Sequence, residues 1–371
     1  MRFQTKIAVM LFFPSVMLLG AAPVFSGEGA ARESRSEFVY TANQISHNVS
    51  AYKIDPASGA LKEVAGSPFA SGKFPISVTV DPSGHFAYVV NQGSSSVSTY
   101  KIDTETGALK EIAGSPCKVG VHPLAVTIDP SGKFAYVTAR DSSSVSAFKV
   151  NASTGALAPI GHSAATQGNP LSVTIDPKGR FAYVANYDSN TVSAYKIDPK
   201  TGGLTVAGSP AASDVHPIFA TVDPAGKFVY VTNYGSTTIS AYVIDAATGE
   251  LTPVAGSPFK TGPRPYSVSI DPVDHFAYVV SWSGNNITAH AIDPRTGALS
   301  LGVGSPVATE WFPYAVSVEP SGRFVYVANN GDNDVSAYSI NPKTGALTLV
   351  AGSPFVSGKG PYSLTTVAVS H

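Results

Sequence analysis

The chain has 371 residues, a formal net charge of −1 and only 13% charged side chains, with no run of like charge along it. Binding to a nucleic-acid backbone therefore lacks its electrostatic footprint. The single cysteine, Cys117, excludes an intramolecular disulfide, and the lack of helix-period patterning excludes a helical fold.

At the N-terminus Arg2 and Lys6 precede an apolar run from Ile7 to Phe25, broken by Pro14 and Pro23 and closed by Ser26 and Gly27. Charged, then apolar, then small is the order of a secretory signal peptide. Residues 1–26 are expected to be cleaved, 27–37 to form a disordered leader, and 38–371 to form the exported domain, periplasmic or extracellular. No cysteine follows the apolar run to carry a lipid, and no membrane span is expected after cleavage.

From there a unit recurs. Phe-x-Tyr segments begin at Phe38, Phe86, Phe134, Phe181, Phe228, Phe276 and Phe324, at steps of 48, 48, 47, 47, 48 and 48 residues. A fixed period of this size with strand-like content marks a radial β-repeat. Each copy reads as four strands. The first follows a proline, as in Pro75 to Val80, and ends in an Asp81-Pro82-Ser83-Gly84 turn. The second, Phe86 to Asn91, is apolar on both faces, as a sheet packed between neighbours requires. The third runs from Val97 to Ile102, and the turn Asp103 to Gly107 leads to a fourth near Ala108 to Ile112.

The register is offset: the repeats open in a second strand at Phe38 and close in a first strand from Pro361 to Val369. The three N-terminal strands thus need the C-terminal strand to complete their sheet. That arrangement closes a ring and removes open edges between blades. The expected fold is all-β, a seven-bladed propeller of four-stranded antiparallel blades, and a monomer.

Most carboxylates belong to turns. Asp55, Asp103, Asp198, Asp245 and Asp293 stand four residues before a glycine, and Asp81, Asp129, Asp176, Asp223 and Asp271 open the other turn. Side-chain acceptors at such places hold the backbone. Asp332-Asn333-Asp334 lacks the glycine and glutamate of a calcium loop, so neither a metal nor another cofactor is expected. Cys117 takes the place of a loop phenylalanine and His290 that of a strand tyrosine, so both are expected to pack.

Comparison of the copies locates the variable face. The residues before the seven prolines are Phe74, His122, Asn169, His216, Arg264, Phe312 and Gly360. Those after the second strands are Gln44, Gln92, Arg140, Tyr187, Tyr234, Trp282 and Asn330. Both sets belong on one mouth of the central channel, joined by Glu310 and Trp311. Here His122 or His216 suits a general base, and Arg140 or Arg264 suits a carboxylate, phosphate or oxyanion. Tyr187, Tyr234, Trp282 and Glu310 are candidate ligand contacts. No nucleophile elbow, zinc-protease motif or phosphate loop occurs.

The strand Tyr230-Val231-Thr232-Asn233, the turn Asp81-Pro82-Ser83-Gly84, the strand Ser193 to Asp198 and the turn Thr106-Gly107-Ala108-Leu109 resemble the seven-bladed lactonase family, which is 6-phosphogluconolactonase-like and overlaps with YVTN-repeat propellers. The resemblance covers Phe38 to Val369. It implies a propeller and, for enzymatic members, hydrolysis of 6-phosphogluconolactone or interconversion of muconate-type lactones. The family's histidine after a first-strand proline is here Leu124, Leu171 or Ile218, and its Asp-Leu-Gly-x-Asp segment is here Asn186-Tyr187-Asp188 or Asn233-Tyr234-Gly235.

Two readings follow. One is an exported hydrolase of a lactone or sugar ester at the channel mouth. The other is a non-catalytic binding or scaffold propeller whose mouth holds carbohydrate or protein.

Overall fold

A strand that is apolar at every position needs cover on both faces, and a ring of radial sheets supplies it. The computed structural model describes residues 35–370 apart from residue 274. Over that span seven antiparallel sheets are arranged as blades. Blade 1 is built from Pro361–Ser370, Arg35–Asn43, Asn48–Ile54 and Leu61–Glu63, innermost strand first. Blades 2 to 7 begin at Pro75, Pro123, Pro170, Pro217, Pro265 and Pro313 and repeat that order.

The ring closes as the register requires. Arg35–Asn43 pairs with Pro361–Ser370, and Phe38 lies opposite Val367. The first strand starts three residues ahead of the expected boundary, because Arg35, Ser36 and Glu37 pair with Ser370, Val369 and Ala368. The expected signal peptide lies outside the described residues. One feature exceeds the four-strand reading. In six blades a two-residue strand such as Phe69–Ala70 also pairs with the third strand, whereas blade 3 has one continuous outer strand, Leu157–Ala165.

Each second strand is buried from its phenylalanine onward, and in blade 2 its residues pack against the sheet on either side. Polar bolts add to this packing. The hydroxyls of Tyr40, Tyr88, Tyr136, Tyr230, Tyr278 and Tyr326 donate to the carbonyls of Gly107, Gly155, Gly202, Gly297, Gly345 and Gly59 in the next blade, at 2.9–3.2 Å. Each such bond contributes about 1 kcal/mol. In blade 4 the buried Tyr183 hydroxyl has no partner. The same glycines carry a second constraint: a Cβ on Gly107 would lie 2.5 Å from the Phe38 ring, and its φ is +79°. Glycine is thus demanded there by backbone and by neighbour alike.

The turn carboxylates are scaffold, as read. Asp81 accepts the N–H groups of His85 and Phe86, and Asp55 those of Ala57 and Ser58. Blade 7 substitutes Glu319, whose Oε1 accepts from Arg323 and Phe324. Cys117 is half-buried where other blades place Phe69, Phe259 or Phe355, and burial raises its thiol pKa. His290 is buried, with Nε2 3.2 Å from Thr261 Oγ1, and burial lowers its pKa to about 4.

Candidate functional site at the channel mouth

The asparagines that end five second strands do not reach the mouth. Asn43, Asn91, Asn186, Asn233 and Asn329 are fully buried, and each amide donates across the hairpin to a side chain seven residues on, as Asn233 does to Ser240 at 2.9 Å. The residues that follow them are the ones presented. Their backbone N–H groups donate to the carbonyls of the residues before the prolines: Gln44 to Gly360, Gln92 to Phe74, Arg140 to His122, Tyr187 to Asn169, Tyr234 to His216, Trp282 to Arg264 and Asn330 to Phe312, at 2.8–3.1 Å. The two rings expected from sequence are therefore locked together blade by blade.

All seven residues before the prolines are left-handed, with φ between 48° and 67°, and six of them are not glycine. This conformation disfavours side chains, and a following proline restricts it further. Each such residue costs on the order of 1 kcal/mol, and the interlocked loops hold it there.

Around blades 4 to 7 the presented side chains form a crescent of two aromatic groups. His216 stacks on Tyr187 with centroids 4.2 Å apart and planes at 9°. The Arg264 guanidinium lies 5.6 Å from the Tyr234 ring and 5.5 Å from the Trp282 ring. Trp282 stacks on Phe312 at 4.9 Å, and the exposed Trp311 meets Phe312 edge-on. A cation over two aromatic faces is held by their quadrupoles without losing its donors. Among the described residues no carboxylate forms a salt bridge with Arg264 or Arg140. Burial raises the Tyr187 pKa, Tyr234 and Asp188 add to the rise, and the Arg140 and Arg264 guanidiniums act in the other direction. Two arginines from blades 3 and 6 and the ring stacked on His216 therefore share one electrostatic neighbourhood.

Blade 3, next to blade 4, carries a different arrangement. His122 Nδ1 is 2.6 Å from Asp141 Oδ2, with both side chains about half exposed. In blade 4 the equivalent pair is Asn169 and Asp188 at 3.4 Å. Burial raises the pKa values of Asp334 and Tyr338 in the third strand of blade 7, and the nearby Glu310 charge adds to the rise. Among the described residues no group of three or more His, Cys, Asp or Glu side chains is placed to hold a metal ion.

Beneath the crescent lie three residues that sequence reading passed over. Tyr266, Tyr314 and Tyr362 follow the prolines of blades 6, 7 and 1. Their rings are 4.5, 4.6 and 6.0 Å apart, the hydroxyls of Tyr266 and Tyr362 are hydrogen-bonded, and Tyr234 meets Tyr266 edge-on. Burial pushes Tyr362 up to about 12 and Tyr266 well above its usual value, so both remain neutral phenols. Aligning the copies one residue past the proline would have exposed this trio. Asp141 gave no comparable signal, because an aspartate at a loop tip is ordinarily just solvated.

A family model described as "Lactonase, 7-bladed beta-propeller" matches residues 25–121, 117–216, 212–310 and 308–361. Among solved structures, a periplasmic gluconolactonase of Pseudomonas aeruginosa superimposes with a TM-score of 0.77 at 22% identity, covering 91% of this chain and 100% of that one. A candidate 6-phosphogluconolactonase of Bacteroides fragilis gives 0.77 at 19% identity, covering 90% and 98%. The hydrazine synthase of Kuenenia stuttgartiensis gives 0.62 at 22% identity, covering 81% and 91%, so likeness at this level speaks for the fold alone. No curated protein matches the chain in sequence.

Proposed function

Because the chain belongs to the seven-bladed β-propeller lactonase family, we propose that it hydrolyses a small lactone or sugar ester at the channel mouth. The observation that carries this reading is the His122–Asp141 pair at 2.6 Å. A carboxylate on Nδ1 fixes the imidazole tautomer, leaves Nε2 to accept a proton and stabilises the imidazolium that results.

His122 takes a proton from water as its oxygen bonds to the lactone carbonyl carbon. The tetrahedral oxyanion is met by the guanidinium of Arg140 or Arg264, neither of which is neutralised by a carboxylate. The ring C–O bond then breaks, and the leaving oxygen recovers the proton from His122 to give a hydroxy acid. His216, stacked on Tyr187, belongs with Tyr234 and Trp282 in holding the ligand. Purified protein is expected to turn over simple lactones, and His122→Ala and Asp141→Asn each to lower kcat. Unchanged turnover in both variants would remove the proposed base.

The crescent favours a second reading. Stacked aromatics with a free guanidinium suit binding of a carbohydrate or a protein side chain without chemistry. That reading expects saturable binding, lost in Trp282→Ala, with no lactone turned over. In either case we place the protein outside the cytoplasm and treat it as a monomer. The N-terminal order of residues 1–26 and the family's periplasmic gluconolactonase support export. Recovery of full-length protein in the cytoplasmic fraction would contradict it. Among the described residues no helix is long and apolar enough to cross a membrane.

A further inference from the structure

The channel below the mouth is divided in two. An upper chamber of about 110 Å³ has an apolar arc of Ile76, Leu124, Leu171 and Ile218 facing the tyrosine trio. A lower chamber of about 270 Å³ is lined by threonines and serines such as Thr79, Thr127, Thr174 and Thr221. The two meet at the residue two places after each proline. Six blades carry serine or alanine there, and blade 5 carries Phe219, which lines both chambers and is 37% exposed. One ring therefore stands as a septum where all other blades leave room.

The serines of the upper chamber are partly engaged. Ser172 accepts the N–H of Ala220 at 3.0 Å, Ser363 that of Val78 at 3.3 Å, and Ser267 that of Val316 at 3.4 Å. The hydroxyls of Tyr266 and Tyr362 engage each other. As acceptors these serine oxygens are thus already engaged by neighbouring strands. Beside these serines and Ser77, the wall is aliphatic side chain, tyrosine ring and the Phe219 ring.

We propose that this chamber is a tail pocket, taking a short alkyl chain carried by the ligand, with Phe219 as the floor that limits its length. This inference rests on the hydrolase reading for the lactone that bears the tail. A cavity of about 150 Å³ admits benzene, so the chamber accommodates about four carbons. The ligand class is then a lactone or ester with a short aliphatic side chain at the ring, seated through the crescent with its tail pointing down the channel axis. A fully hydroxylated sugar lactone would set hydroxyls against the aliphatic arc of Ile76, Leu124, Leu171 and Ile218, where they find no partner.

Two ligand series test this separately from hydrolysis: five-membered lactones with side chains of zero to nine carbons, and the matching cyclic ketones, which contain no hydrolysable bond. Ketone affinity, measured by calorimetry, should climb about fourfold per methylene up to about four carbons and then stop. Phe219→Ala should extend the climb by two or more carbons. That variant installs the residue blades 3 and 7 already carry, so it should fold. Leu171→Trp should fill the chamber and flatten the series. A ketone series flat in the parent protein, or a cut-off unmoved in Phe219→Ala, would overturn the tail pocket. A rising ketone series without lactone turnover would leave the pocket standing and defeat the hydrolase reading. Lactone turnover with a flat ketone series would do the reverse.

Discussion

The two sides of the mouth are built on one scaffold and loaded differently. Blades 4 to 7 carry two aromatic groups, Tyr187 on His216 and then Tyr234, Arg264, Trp282 and Phe312. Blades 1 to 3 present Gln44, Gln92 and Arg140 together with the His122–Asp141 pair, and there His47 meets Phe74 edge-on. The backbone bonds that lock the loops are the same on both sides. The difference at these loops therefore lies in the side chains they carry, and it suggests a division of labour in which one side reacts and the other side holds.

The largest effect should come from the reacting side. His122→Ala should lower kcat about 10²- to 10³-fold with little change in KM, and Asp141→Asn should follow it by a smaller factor, both read in steady-state lactone assays. Equal losses in kcat from a crescent substitution would break the proposed division.

Next comes the holding side. Trp282→Ala removes the ring shared by Arg264 and Phe312 and should raise KM or Kd about 10- to 30-fold, with kcat nearly kept. A fall in kcat with KM unchanged would place the crescent in the chemistry instead.

A third test uses pH and blade 6, which carries the crescent's tryptophan. Burial holds His290 near 4, below its ordinary 6.5. Below pH 6.5 the unfolded chain binds the proton and the folded one resists it. Stability is thus intact above pH 6.5 and is lost as pH falls toward 4, by roughly 3 kcal/mol. Thermal melts should show this loss in the parent protein and less of it in His290→Tyr, which restores the tyrosine of other blades. The smallest effect is expected from Gln92→Ala, within about twofold in kcat and KM.

The propeller was legible because burial demands repeat: every blade must cover the same two faces, so Phe, Tyr and turn Asp recur at one spacing. Ring closure was legible for the same reason, since a copy missing its first strand at one end found it at the other. The mouth was legible only as a set of places. Which side chains meet there depends on contacts between blades about 47 residues apart, such as Tyr187 with His216 or Tyr234 with Arg264. The asparagines show the opposite limit. They stand beside the mouth in sequence, yet hairpin partners such as Ser240 and Ser193 turn them inward. Phe219 was hidden because one large residue among small ones reads as ordinary strand content until the channel axis is known.

The tyrosine bolts have a consequence for how the ring comes apart. A linear array frays from its end repeats, but a closed ring of nearest-neighbour contacts has none, so every blade is clamped by two others and unfolding must first break a seam. Six seams are fastened by a tyrosine hydroxyl on the next blade's turn, and the one between blades 4 and 5 leaves Tyr183 unmatched. That seam is crossed instead by Arg180, whose Nη1 donates to the Ala246 carbonyl at 2.8 Å, and by the Ala220 N–H on Ser172. It runs up to His216 stacked on Tyr187, so the joint whose tyrosine bolt is replaced lies directly under one end of the mouth.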